Sequence, residues 1–109
     1  MVKALSRKHE VFSHGTAEAV VDAFNPGSFD VALIDLGMPG MSGDALAQTL
    51  RASDPKLSTI LITGWDIDGT DPRRAHFDFC LKKPFGISVL LSTVAEAIQL
   101  RDDRGRDAQ

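Results

Sequence analysis

Short apolar runs alternate with amphipathic stretches along this chain, which favours βα units packed around a parallel sheet. The run at 29–36 is apolar on both faces at its centre, as a buried parallel strand requires. Further strands are predicted at 10–14, 59–63 and 77–81. Apolar residues at helical spacing predict helices at 17–24, from about 43 to 52, and at 88–100. The pattern therefore predicts an α/β fold.

The helix predicted at 88–100 has the clearest amphipathic pattern, and it sets the expected end of the domain. Its apolar face would consist of Val89, Leu90, Val94, Ala97 and Ile98. The remaining residues, 101–109, are charged, and chain ends fray readily. We therefore expect one domain at 1–100, followed by a disordered tail at 101–109.

Composition narrows the class of protein. A length of 109 residues fits a single small domain. No apolar run approaches the ~20 residues that cross a bilayer, and the first residues lack the apolar core of a secretory signal. The single cysteine, Cys80, fits a reducing cytoplasm. Basic residues are scattered and the net charge is −3, so we expect protein partners, with no membrane or nucleic acid.

Three polar residues stand where predicted strands end: Asp35, Thr63 and Lys83. The carboxyl ends of neighbouring parallel strands meet at one edge of a sheet, so these side chains can share a site. A carboxylate there can attack a phosphoryl group and form an acyl phosphate. A hydroxyl and an ammonium would hold the phosphoryl oxygens, and Mg²⁺ would neutralise their charge.

The segments around these residues resemble the bacterial response-regulator receiver family over roughly residues 2 to 100. Asp35-Leu-Gly-Met-Pro-Gly-Met-Ser-Gly43 is similar to the family's phosphoacceptor loop. Ile60-Leu-Ile-Thr-Gly64 is similar to its fourth strand, and Leu81-Lys-Lys-Pro-Phe85 to the end of its fifth. Each motif alone is weak, but all three occur in order. The resemblance implies a flavodoxin-like (CheY-like) parallel sheet with flanking helices.

The resemblance also assigns roles to residues of this chain. Asp35 would be the phosphoacceptor, Thr63 the hydroxyl that senses the phosphoryl group, and Lys83 its charge partner, with a cis bond to Pro84. Asp35 and the backbone carbonyl of Gly37 would bind Mg²⁺. The implied partners are a histidine kinase or a histidine phosphotransfer protein. Any catalysis would be limited to self-phosphorylation and autodephosphorylation.

The sequence departs from the family at its start. The first strand of the family carries two adjacent acidic residues that bind Mg²⁺, and here that pair would fall before Met1. We therefore expect the first strand and most of the first helix to be missing, which leaves Mg²⁺ few ligands. Unpaired strand edges would then favour self-association into a homo-oligomer. The alternative function is a pseudo-receiver, an interaction module that is not phosphorylated.

A second motif suggests a different activity. Asp66-Ile-Asp-Gly-Thr70 is similar to the Asp-x-Asp-Gly-Thr nucleophile motif of haloacid-dehalogenase-type phosphatases. That motif requires its first aspartate directly after an apolar strand, whereas Gly64 and Trp65 intervene here. A surface loop is therefore the preferred interpretation, and a small phosphatase using Asp66 and Asp68 is the third hypothesis.

Overall fold

A computed structural model describes residues 17–35, 43–64 and 74–107 of the chain. Helices and strands alternate as the hydrophobic pattern predicts, except that β2 and β3 are consecutive among the described elements. In chain order they are α1 (Ala17–Ala23), β1 (Val31–Asp35), α2 (Gly43–Ser53), β2 (Ser58–Thr63), β3 (Phe79–Lys82) and α3 (Ile87–Asp107). The strand predicted at 10–14 and the loop at 66–70 lie outside the described residues.

The strands form a parallel sheet in the order β1-β2-β3. In its register, Asp35 at the end of β1 lies opposite Ile62, and Thr63 at the end of β2 lies opposite Lys82. Parallel neighbours need crossover connections, which explains why a helix or a longer segment follows each strand. The predicted flavodoxin-like α/β architecture is confirmed.

Two cores cover the two faces of the sheet. On one face, α1 and α2 pack over a cluster that includes Leu50 and Leu61. On the other face, α3 packs over a cluster that includes Ile60 and Leu90. All six residues of β2 are buried, since this strand has a neighbour on each side and helices on both faces.

The turn between α1 and β1 is determined by its residue types. The amide of Ser28 donates to the carbonyl of Asn25 at 3.0 Å, and Gly27 has a φ of 85°. Proline at the second position and glycine at the third are the residues that a type II turn favours, and Pro26 and Gly27 stand there. This turn ends the helix and brings the chain into β1.

The helix α3 differs from the prediction at both ends. Residues 101–107 are helical, so the expected disordered tail is wrong for this segment. The physical reason is that Arg101 and Arg104 bind aspartates near the starts of the strands. At the other end, Val89 was predicted on the buried face but is 48% exposed, since it is turned by about 100° from Leu90. Among the described residues, no helix is long and apolar enough to span a membrane.

Candidate functional site at the carboxyl rim of the sheet

The three polar residues that end the predicted strands lie at one rim of the observed sheet. Asp35 is the last residue of β1 and Thr63 is the last residue of β2. Lys83 directly follows β3. Because Asp35 is opposite Ile62, and Thr63 is opposite Lys82, the three positions are displaced from one another by a single residue per strand.

Asp35 and Lys83 are in direct contact. The Nζ of Lys83 donates to Oδ2 of Asp35 at 2.6 Å, which is a short charge-assisted hydrogen bond. The side chains are 42% exposed for Asp35 and 51% exposed for Lys83. The carboxylate is therefore held by an ammonium group and is still open to a reactant that approaches from solvent.

Thr63 lies between these two positions and is only 2% exposed. Its carbonyl oxygen accepts a hydrogen bond of 2.8 Å from the backbone amide of Lys83, which extends the ladder one residue beyond β3. The backbone of Thr63 thus helps to position Lys83. Sequence reasoning assigned only the Thr63 hydroxyl and missed this contact, which no residue-type pattern signals, because any residue supplies the same carbonyl.

The chain after β3 turns sharply at the site. The peptide bond between Lys83 and Pro84 is cis, as the resemblance implied. Lys82, the preceding residue and the last of β3, is exposed. Of these two lysines, Lys83 is the one whose ammonium group binds the Asp35 carboxylate.

The described residues at this rim do not build a magnesium site by themselves. Mg²⁺ prefers several oxygen ligands in octahedral geometry, and Asp35 supplies one carboxylate that already binds an ammonium group. Within 17–35, 43–64 and 74–107, no group of three or more His, Cys, Asp or Glu side chains is placed to hold a metal. Gly37, the other predicted ligand, lies outside the described residues.

Two apolar side chains in the first turn of α3 are exposed. Ile87, the first residue of α3, is 64% exposed and follows Lys83 by four positions. Val89 lies in the same helical turn. A helical projection is the signal that could have identified Val89, because it turns this residue by about 100° from Leu90. It could not have identified Ile87, which has the i, i+3, i+7 spacing of the face that carries Leu90 and Val94.

Comparison with known proteins adds the family context. A model of the response regulator receiver domain matches residues 1–95. The sensor kinase CckA of Brucella abortus is 32% identical over 97 residues, which cover 86% of this chain and 10% of that kinase. The DNA-binding transcriptional regulator NtrC of Klebsiella pneumoniae is 37% identical over 82 residues, which cover 72% of this chain and 17% of that regulator. This chain thus spans a small part of either relative.

A solved structure agrees with the fold. The response regulator protein TrrA of Thermotoga maritima, solved in complex with Mg²⁺ and beryllium fluoride, superposes with a TM-score of 0.77 at 23% identity. The match covers 88% of this chain and 84% of TrrA. At this identity the likeness concerns the fold alone.

Proposed function

This chain belongs to the response regulator receiver domain family of two-component signalling, and on that premise we propose that it accepts a phosphoryl group on Asp35. The observation that carries the proposal is the 2.6 Å contact between the Asp35 carboxylate and the Lys83 ammonium at the rim where Thr63 also ends its strand. The donor would be the phosphohistidine of a histidine kinase or of a histidine phosphotransfer protein in the cytoplasm.

The proposed chemistry is a single displacement at phosphorus. A carboxylate oxygen of Asp35 forms a bond to the phosphorus while the phosphorus–nitrogen bond of the phosphohistidine breaks. The departing imidazole keeps the electron pair and takes a proton from solvent. Lys83 would move its hydrogen bonds from the carboxylate to the phosphoryl oxygens, where its charge is needed most.

The role proposed for Thr63 is to bond the phosphoryl group after transfer. Its position at the end of β2 supports this role, because β2 lies between the strands that carry the other two residues. The variant Thr63→Ser keeps a hydroxyl and Thr63→Ala removes it. Amide chemical-shift changes caused by phosphorylation should persist in the serine variant and shrink in the alanine variant.

Intact mass spectrometry tests the acceptor. The whole chain is incubated with a small phosphodonor such as phosphoramidate, once with Mg²⁺ and once with a chelator, beside a receiver of known activity. The wild type should gain the mass of one phosphoryl group, and Asp35→Asn, which conserves shape and removes the nucleophile, should gain none. An unmodified wild type, or equal modification of the asparagine variant, would contradict the proposal.

A second candidate function is the pseudo-receiver, an interaction module without phosphorylation. It is favoured by the absence, among the described residues, of a carboxylate cluster that would hold a metal. Its test is binding of a histidine phosphotransfer protein by Asp35→Asn and by the wild type. Equal affinities together with no phosphorylation of the wild type would favour this function, whereas loss of binding in the variant would count against it.

Self-association through a strand edge is also part of the proposal. Among the described residues β1 pairs only with β2, and four of its five residues keep partial exposure, whereas β2 is fully buried. An edge of this kind presents backbone donors and acceptors to another chain. Sedimentation over a range of concentrations should show a dimer. A monomer mass at every concentration would contradict this proposal without affecting the acceptor role.

A further inference from the structure

The end of α3 is attached to the sheet at the rim opposite Asp35 and Lys83. The Nε of Arg101 lies 3.3 Å from Oδ1 of Asp30, and its Nη1 donates to Oδ2 of Asp54 at 3.0 Å. Asp30 directly precedes β1, and Asp54 lies four residues before β2. One arginine therefore joins the helix to the beginnings of two strands.

Arg104, one turn later, completes the attachment. Its Nη1 donates to the carbonyl of Leu57 at 3.0 Å and to Oδ2 of Asp78 at 3.2 Å, while its Nη2 donates to Oδ1 of Asp78. Asp78 directly precedes β3, and Leu57 directly precedes β2. We name Arg101, Arg104, Asp30, Asp54 and Asp78 the arginine latch.

Three of the five latch side chains are largely shielded from water, whereas Asp30 is 62% exposed. The side chains of Asp54, Asp78 and Arg101 are 7%, 11% and 13% exposed. Arg51 of α2 adds a further positive charge, with its Nη1 3.8 Å from Asp78. Shielded charges interact more strongly than surface ones, and charge-assisted, two-point bonds of arginine to carboxylate are the strong class. The latch can therefore hold a helix segment that would not form alone.

The sequence of that segment opposes helix formation. Gly105 stands inside α3, where glycine costs about 1 kcal/mol relative to alanine. Asp102 and Asp103 place negative charge near the negative end of the helix dipole. Gln99 offsets part of this by donating to Asp103 at 3.0 Å. The apolar residues that anchor α3 on the sheet end before this segment, with Ala97 and Ile98.

We propose that residues 101–107 are a conditional helix. The segment is helical while the arginine latch is closed, and it becomes a flexible tether when the latch opens. The sheet and residues 87–100 remain folded in both states. The state of the arginine latch determines whether the end of α3 has a fixed orientation relative to the domain. It depends on no step of phosphoryl transfer, so its failure and the failure of the acceptor proposal are separable.

Amide hydrogen exchange of the whole chain tests the latch. The variant Arg104→Gln should accelerate exchange of amides 103–107 by on the order of tenfold, because it removes the bonds to Asp78 and Leu57. Exchange in β2 should remain slow and serves as the internal reference. The matched control is Asp102→Asn, which changes an exposed residue of the same segment and should cause no acceleration.

Gly105→Ala tests the same device in the opposite direction. A Cβ at this position meets no atom within 4 Å, so the substitution fits. It should slow exchange of amides 103–107 about fivefold, and added to Arg104→Gln it should restore part of the lost protection. This readout is independent of whether Arg104→Gln folds well.

Three results would overturn the conditional helix. Unchanged exchange in Arg104→Gln would mean that the helix does not need the latch. Equal acceleration in β2 and in residues 103–107 would mean that the segment opens only when the whole domain unfolds. A Gly105→Ala variant with no added protection would show that the segment is not close to its helix–coil balance.

Discussion

Lys83 Nζ lies 2.6 Å from Oδ2 of Asp35, although the two residues are 48 positions apart in the chain. Both side chains are partly exposed, and exposed ion pairs contribute little to folding. The contact is therefore expected to add little stability, and the role proposed for it is in phosphoryl transfer. Asp35 and Lys83 can be tested by separate substitutions.

Removal of the ammonium group should impair phosphorylation. In Lys83→Gln the charge next to Asp35 is lost, and the developing charge on the phosphoryl oxygens is no longer neutralised. We expect the rate of phosphorylation by a small donor to fall by about 100-fold or more, the scale on which a single stabilising group acts. The rate is measured by intact mass over time.

Lys82→Gln is the control for that prediction. It removes the same charge from the adjacent residue, which is exposed and is not the partner of Asp35 in the ion pair. Phosphorylation of this variant should proceed within about twofold of the wild type, since a solvent-exposed charge contributes little. If both lysine variants were equally slow, general electrostatics would explain the effect and the specific role of Lys83 would be wrong.

Asp35→Asn should leave the fold almost unchanged in stability. The ion pair that it breaks is partly exposed, so the free energy of unfolding should change by less than about 1 kcal/mol. Urea unfolding followed by circular dichroism provides the measurement. A loss of several kcal/mol would instead assign Asp35 a structural role and would make its phosphorylation defect difficult to interpret.

Truncation of a core residue, unlike Asp35→Asn, should lower the free energy of unfolding substantially. Leu61 is fully buried in the centre of β2, and Leu61→Ala should lower the free energy of unfolding by about 2 to 5 kcal/mol. Ile87→Ala is the matched control, because Ile87 is 64% exposed and its loss should cost less than about 1 kcal/mol. Similar costs for the two variants would contradict the difference in burial between Leu61 in β2 and Ile87 in α3.

Asp54 should make stability depend on pH in the acidic range. Burial alone raises the pKa of Asp54, but bonds from the amide of Gly27, from Arg101 and from the amide of Lys56 outweigh it, so the pKa is lowered in the folded state. A lowered pKa stabilises the fold above the unfolded value of about 4, and this stabilisation is lost as the pH falls through the folded pKa.

The variant Asp54→Asn isolates that contribution. At pH 6 it should lower the free energy of unfolding by roughly 1.5 to 3 kcal/mol, the magnitude of hydrogen bonds to a charged group. The difference from the wild type should shrink as the pH drops below about 4, since the wild-type carboxyl then protonates as well. Parallel stability curves from pH 6 to pH 2.5 would show that Asp54 is not the group responsible.

Several features of the fold and of the candidate site could be predicted from particular residues of the sequence. The strands ending at Asp35 and Thr63 follow from their apolar centres, and the turn before β1 follows from Pro26 and Gly27. The nearness of Asp35 and Lys83 also follows, because parallel strands gather their carboxyl ends at one edge. The roles of Thr63 and Gly37 stay predictions.

Other features could not be predicted from the sequence. Residues 101–107 have a composition typical of a frayed end, yet they are helical, and Arg101 and Arg104 bind carboxylates that lie far earlier in the chain. Local propensity contains no information about such partners.

The sequence by itself determined the order of the elements, the parallel sheet and the identity of the polar residues at its carboxyl rim, since hydrophobic period and residue type act locally. Tertiary structure alone decided that Arg101 and Arg104 meet their aspartates at the opposite rim. An ion pair depends on distance in space, and the folded sheet fixes that distance.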